Sequence, residues 1–185
     1  MTQPDRRGMK GAEMFEINDL IMYGARGVCR VKEITHLDWD AANSEREYYV
    51  LEPLYKADMI YVPVDNQKVY MRHVMSKQEV LDLIDSMPEI ESKIVKASSI
   101  QQLSRYYQAA IDSHECSELV RLTKSIHLKQ EAADKNKKQL GQIDIRYMEH
   151  AEDLLFGEIA AVLDIPRDSV VEYIEKRIES RKSDK

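Results

Sequence analysis

The stretch FEINDLIMYGARGVCRVKEI, residues 15–34, decides how the first part of the chain folds. It is rich in residues that favour strands, and Gly24 and Gly27 bracket a turn in which a positive φ would strain other residues. Two similar segments follow after polar joints, REYYVLEPL at residues 46–54 and MIYVPV at residues 59–64. The pattern predicts a compact antiparallel β module.

From Ser76 onward the apolar residues recur at helical spacing. Ser76 and Glu79 form a capping-box pattern, in which each residue can satisfy a backbone N–H at the start of a helix. This pattern predicts a short helix that runs through Ile84, and Pro88 ends the segment.

Two further capping-box patterns occur later in the chain. Ser99 and Gln102 predict a helix that continues through about Ile111, and Asp112 and Glu115 predict the start of the next helix. Three apolar residues of that next helix fall on one face, which is typical of packing against a core. They are Leu119, Leu122 and Ile126.

The last part of the chain has the same helical character. Residues 140–163 carry an apolar stripe, which predicts a helix buried on one side, and Pro166 suits the first turn of a final helix over residues 168–181. The stripe consists of Met148, Ala151, Leu155, Ile159 and Val162. The change of spacing therefore predicts an α+β protein with four or five helices. We expect a flexible tail at residues 1–13, a β domain at residues 14–75 and an all-α domain at residues 76–185.

Composition and charge narrow the class of protein. The 185 residues are 43% hydrophobic and 32% charged, as expected for a folded chain. The net charge is −6, yet residues 93–150 carry ten Lys and Arg against seven Asp and Glu, which fits either a solvated helical surface or a DNA-binding face. Cys29 and Cys116 form no CxxC, and no apolar run is long enough to span a bilayer. We expect a cytoplasmic protein without disulfides, metal or membrane contact.

The sequence offers no local signature of catalysis. The five histidines are scattered without an HExxH pair, and no GxSxG motif is present. Glu152 and Asp153 are adjacent on a predicted helix and so point in different directions, which suits a solvated exterior better than acid–base chemistry. We therefore expect a binding protein and not an enzyme, with no cofactor.

Several segments carry a resemblance to a known family. The run at residues 15–34, followed by YYVLEPL, IYVPV and MRHV, resembles the RNA polymerase-interacting domain of the CarD family of bacterial transcription regulators. The segments SRYYQ, SELVRLTKSIHLK and LGQIDIRYMEHAEDLLFGEIA are similar to the helical domain of that family. Transcription-repair coupling factors share the polymerase-interacting domain, but they are long helicases, and this chain has no P-loop.

The resemblance implies a monomeric regulator with two contacts. A Tudor-like β barrel would bind the RNA polymerase β subunit, and the helical domain would touch promoter DNA at the upstream edge of the forming bubble. By position, the polymerase contact would be made by Met59, Ile60, Tyr61, Val62 and Pro63. Because Pro63 has no N–H, this strand suits a sheet edge, where a partner strand can add and Tyr61 can set specificity. The alternative is an ordinary edge strand protected by Pro63.

The DNA contact is implied in the same way. Family members place a tryptophan as a minor-groove wedge where this sequence has Leu103, and leucine can also act as a wedge. The implied DNA-contacting residues are Leu103, Arg105, Tyr106, Arg121, Lys124 and Lys129. Of the adjacent Tyr106 and Tyr107, one should pack in the helical core.

Two alternatives accompany the DNA contact. Lys135, Lys137 and Lys138 fit a phosphate contact or, equally, a solvated turn between helices. The net acidity and the missing tryptophan also fit an adaptor that binds only proteins.

Overall fold

The computed structural model describes residues 14–37, 45–66 and 68–183, so the predicted tail at residues 1–13 lies outside the described residues. Its contacts divide the chain into two compact units between Val74 and Met75. The first unit consists of strands and the second of helices. That each unit is an independent domain stays a prediction.

The first unit is an antiparallel sheet with the strand order β4-β3-β2-β1-β5. Its strands are β1 Leu20–Tyr23, β2 Gly27–His36, β3 Glu47–Pro53, β4 Ile60–Pro63 and β5 Met71–His73. A turn with positive φ at Gly24 and Gly27 joins β1 to β2, which confirms the prediction for these two glycines. A bulge between Val31 and Glu33 interrupts the pairing of β2 with β3.

The predicted Tudor-like barrel is wrong in one respect, because the sheet does not close. Among the described strands, β4 pairs only with β3 and β5 pairs only with β1, so these two strands form the ends of the sheet. Closing a sheet into a barrel requires tilted strands with a matched stagger. Here β4 has four residues and β5 has three, which leaves little length for such pairing.

One face of the sheet holds the core of this unit. The buried side chains of the core are Phe15, Ile21, Cys29, Val31, Tyr49, Leu51 and Val62. The backbone N–H of Phe15 donates to the Tyr49 hydroxyl at 3.0 Å, and the two rings meet edge to face with centroids 5.8 Å apart. This contact ties the segment before β1 to the centre of β3. Burial raises the pKa of the Cys29 thiol to about 11, because the thiolate would be desolvated.

The second unit contains five α-helices among its described residues. They are α1 Lys77–Ser86, α2 Ile100–Asp112, α3 Cys116–Lys135, α4 Gln142–Leu163 and α5 Val170–Ser183. Helix α3 packs against α2 and α4, while α1 packs against α4 and α5. Near the end of α4 the buried Glu158 accepts a hydrogen bond from the backbone N–H of Met75 at 2.8 Å. This bond fixes the start of the helical unit.

The helix starts test the capping patterns. Ser76 and Glu79 form the predicted capping box at α1. At α2, the Ser99 hydroxyl caps the N–H of Gln102 as predicted, but the Gln102 side chain accepts from the backbone N–H of Ser98.

The third predicted capping box, Asp112 with Glu115, is wrong. Asp112 is the last residue of α2, where its carboxylate accepts from the Gln108 amide one turn earlier at 2.9 Å. Helix α3 begins at Cys116, and its N-cap residue Glu115 makes no side-chain capping bond. The pattern therefore marked the end of one helix.

The apolar stripes are placed largely as the sequence indicates. Leu119, Leu122 and Ile126 are buried on α3. On α4, Ala151, Leu155 and Ile159 are buried, while the outer members of the predicted stripe are only partly buried. Pro166 precedes a short 3-10 turn, Arg167–Ser169, that leads into α5.

Candidate functional site

The first candidate site is the edge formed by β4 with the residue before it, Met59–Pro63, which we call the β4 edge. In the register with β3, Tyr49 is opposite Val62 and Leu51 is opposite Ile60. Val62 is buried in the core and Ile60 packs against it. Because side chains alternate along a strand, Tyr61 lies on the other face, where it is 46% exposed.

Pro63 lies at the edge of the sheet, which confirms the prediction made from its missing N–H. Its carbonyl oxygen accepts a hydrogen bond from the N–H of Asn66 at 2.9 Å, so a turn follows directly. The N–H of Val64 donates to the carbonyl of Glu47 at 3.0 Å and continues the pairing with β3 by one residue. The β4 edge is thus short, and it ends in a proline and a turn.

The five residues predicted for polymerase binding divide into two kinds. Met59 and Tyr61 present their side chains to solvent, and Met59 is 43% exposed. Ile60, Val62 and Pro63 are buried or partly buried, so they can offer a partner little besides their main chain. Side-chain recognition at this edge therefore depends on Met59 and Tyr61.

Sequence reasoning missed two neighbours of this edge. The connection between β3 and β4 carries the exposed Tyr55 and also Asp58, which forms an ion pair with Arg26 of the turn between β1 and β2. Tyr55 could have been indicated by one signal, which is an aromatic residue that lies in a strand connection and is not needed for the core. These side chains add aromatic and charged groups on the chain segment just before Met59.

The second candidate site is the set of predicted DNA contacts on α2. Tyr107 is fully buried and Tyr106 is 53% exposed, which confirms that only one of the adjacent tyrosines packs in the core. Leu103 lies on the buried face with Tyr107 and is only 8% exposed. A wedge must protrude, so Leu103 would have to leave this core to enter a groove. Arg105, in contrast, is exposed.

Two of the predicted phosphate contacts on α3 bond within the helical unit. The Lys124 ammonium donates to the carbonyls of Met87 and Ile90 at 2.9 and 2.5 Å. Arg121 donates to the carbonyl of Glu91 at 3.3 Å and forms an ion pair with Glu118. Since these carbonyls follow the end of α1, the positive charge of Lys124 stabilises that end. Both side chains hold the chain segment between α1 and α2.

The third predicted phosphate contact on α3, Lys129, is paired with a buried carboxylate. Its ammonium contacts both carboxylate oxygens of Asp144 at 2.8 Å, and Asp144 is buried. Asp144 also accepts a hydrogen bond from the Tyr107 hydroxyl at 2.7 Å. The pKa of Tyr107 is raised, first because its hydroxyl is buried and second because that hydroxyl donates to this carboxylate. The three groups join α2, α3 and α4 in one buried polar network.

The structure therefore does not bring the six predicted DNA contacts together on one open surface. Arg105 and Tyr106 are exposed, whereas Leu103 is buried and Arg121, Lys124 and Lys129 are bonded to their own unit. A contact with DNA by these residues stays a prediction. Within the residues that the structure describes, no helix has both the length and the apolar character that a bilayer crossing requires.

The fold and the β4 edge define a small sheet with an exposed aromatic edge strand, a form suited to binding a protein. The family comparison agrees, since residues 15–75 match the model of the CarD-like/TRCF RID domain. The chain thus carries a CarD-like RNA polymerase-interacting domain, and the resemblance is confirmed over these residues. The match covers about a third of the chain and ends where the helical unit begins. A comparison with curated proteins found no match.

Proposed function

We propose that this protein regulates transcription by binding the RNA polymerase β subunit through the β4 edge and promoter DNA through its helical unit. The DNA contact would lie at the upstream edge of the forming bubble and change the lifetime of the open complex. The observation that carries the proposal is the match of residues 15–75 to the polymerase-interacting domain. The protein would act by binding, without catalysis, in the cytoplasm and as a monomer.

The β4 edge supports the polymerase contact physically. A strand at the end of a sheet can receive a partner strand, which supplies main-chain hydrogen bonds, while exposed side chains on alternate positions supply specificity. Met59 and Tyr61 are the exposed side chains here. Tyrosine and methionine are enriched at the centres of protein interfaces, and tyrosine is frequent among residues that dominate binding energy.

Co-purification of RNA polymerase with the tagged full chain tests this contact, and the fold offers a matched control. Tyr61 and Tyr70 are both 46% exposed, but Tyr61 lies on β4 and Tyr70 lies immediately before β5, at the opposite end of the sheet. We expect Tyr61→Glu to lose the polymerase and Tyr70→Glu to retain it. Retention by both variants would remove the β4 edge as the docking site.

The DNA contact rests on the resemblance and on the exposed Arg105 and Tyr106. Phosphate contacts by cations release counterions, so affinity for DNA must fall as salt rises. A titration of a forked promoter duplex at low and high salt tests this directly. Binding that weakens with salt is expected, and a lack of binding at low salt would refute the DNA contact.

One observation favours an adaptor that binds only proteins. Arg121, Lys124 and Lys129 are bonded within their own unit, which leaves fewer cations for phosphates than the sequence indicated. Under this alternative, co-purification with polymerase would persist while the forked duplex would not bind at any salt concentration.

A further inference from the structure

We propose that the DNA contact of the helical unit is made by residues 93–100, with Ile100 as the apolar group inserted against the bases and Lys93 and Lys96 as phosphate contacts. We call this region the 93–100 surface. The inference rests on the proposed contact with DNA and assigns it to residues outside the set that the sequence indicated.

The charge of this region is the first argument. From Ser92 to Ile111 the chain has no Asp or Glu and contains three cations, Lys93, Lys96 and Arg105. All three are exposed, and in the described part of the chain none of their side chains forms an ion pair. In contrast to Arg121, Lys124 and Lys129, these three keep their charge available for a polyanion.

Ile100 is the second argument. It is the first residue of α2 and is 73% exposed, more than any other large apolar side chain of the described helical unit. It precedes Leu103 by about one helical turn. Whereas Leu103 is buried, Ile100 protrudes from the surface as a wedge must. An apolar side chain that protrudes beside unpaired cations matches the apolar wedges that proteins insert between base steps.

The backbone of the region is held in place, so these side chains are positioned before any partner binds. The Ser125 hydroxyl donates to the carbonyl of Lys93 at 2.7 Å, and α2 starts at a capped Ser99. Lys93 and Tyr106 also line one groove of about 510 Å³, which places the segment and the outer face of α2 on a common surface. The bond to Lys93 comes from α3, whose Arg121 and Lys124 also bond to the segment between α1 and α2.

Nearby carboxylates limit where a polyanion can approach. Glu91 and Glu118 line the same groove as Lys93, and Glu118 is paired with Arg121. A polyanion would therefore reach Lys93 from the side of Lys96 and Ile100, which do not line that groove. DNA fits this stretch better than a protein does, because phosphates flank the minor groove while stacked bases present an apolar surface between them.

The lysines are tested by salt dependence in the full chain. Each phosphate contact contributes about 0.9 to the slope of log affinity against log salt, so Lys93→Gln/Lys96→Gln should lower the slope by about 1.8. Between about 50 and about 200 mM salt, the variant should lose about twelvefold less affinity for a forked, A·T-rich duplex than the wild type does. Lys77→Gln/Lys182→Gln is the matched control, because it removes the same charge from exposed positions on α1 and α5.

The wedge is tested with 2-aminopurine placed at the fork of the same duplex. Unstacking by Ile100 should raise its fluorescence in the saturated wild-type complex, and Ile100→Ala should lose that rise. Leu128→Ala, an exposed apolar residue on α3, should keep it. Circular dichroism melts should show all variants folded, because each change is at an exposed position.

Each outcome decides a separate claim. If the wild type binds but the double lysine variant keeps the full slope, or the control variant loses as much, the 93–100 surface is wrong while the DNA contact stands. If Ile100→Ala keeps the fluorescence rise, the wedge is wrong. If the wild type does not bind the duplex at low salt, the proposed DNA contact fails, and this inference fails with it.

Discussion

The buried pair of Lys129 and Asp144 gives the most quantitative prediction for the helical unit. In Lys129→Met the Asp144 carboxylate would stay buried and, among the residues that the structure describes, keep only the hydroxyl of Tyr107 as a partner. Removing one member of a fully buried ion pair costs about 3–5 kcal/mol. Because the Lys129 side chain is 30% exposed and water can reach it, we expect a loss of about 2–3 kcal/mol.

This loss should lower the melting temperature, followed by helical circular dichroism, by roughly 10 °C. Lys138→Met, which makes the same change at an exposed position after α3, should leave the melting temperature nearly unchanged. Lys129→Met/Asp144→Asn should recover much of the loss, because the neutral amide still accepts from Tyr107 and buries no charge. If Lys129→Met costs less than about 1 kcal/mol, the pair is not the buried interaction described here.

Three further predictions follow from titratable groups. The pKa of Cys29 is raised to about 11 and its thiol is buried. In a Cys116→Ser variant, Cys29 should therefore react with a thiol reagent at neutral pH only when the protein unfolds. Rapid labelling of the folded protein would contradict this. The pKa of Tyr107 is raised in the folded state, so its contribution to stability should be complete below about pH 10 and decrease above it. Urea titrations from neutral to alkaline pH should show this decrease in the free energy of unfolding, and Tyr107→Phe should remove it. An equal decrease in the variant would refute the prediction. Arg177 donates to Asp85 and lowers the pKa of that carboxyl. This link between α1 and α5 should therefore stabilise the helical unit above about pH 4 and weaken as the pH falls further. Acid unfolding of Asp85→Asn should lack this pH-dependent loss of stability, and an unchanged acid profile would count against the prediction.

The features that the sequence predicted well are local ones. The capping box of Ser76 and Glu79 depends on atoms within one turn of helix, and the edge position of β4 follows from the missing N–H of Pro63. Gly24 and Gly27 have the positive φ that their turn requires. In each case, the chemistry of a few adjacent residues determines the structure.

The errors concern features that depend on distant parts of the chain. Closure of the sheet depends on whether β4 and β5 meet, which no local pattern encodes. The pattern of Asp112 with Glu115 is the same whether a helix ends or begins there, and the bond from Gln108 shows that it ends.

The predicted DNA contacts on α3 show the same limitation more sharply. Lys124 binds backbone carbonyls, which have no signature in the sequence, and the partner of Lys129 is an aspartate on another helix. Charge counted along the sequence therefore overestimated the cations that face solvent. Lys93, Lys96 and Arg105 are among the cations that stay exposed once these internal bonds are taken into account.

The central claim is that the β4 edge docks this protein on RNA polymerase, and its most direct test is the dissociation constant of the full chain for purified polymerase. Tyr61→Glu should raise this constant by at least about thirtyfold, as loss of an interface residue worth about 2 kcal/mol requires. Tyr70→Glu, which is equally exposed beside the opposite edge strand, should leave it unchanged within about twofold. Equal affinities for the wild type and Tyr61→Glu would contradict the account.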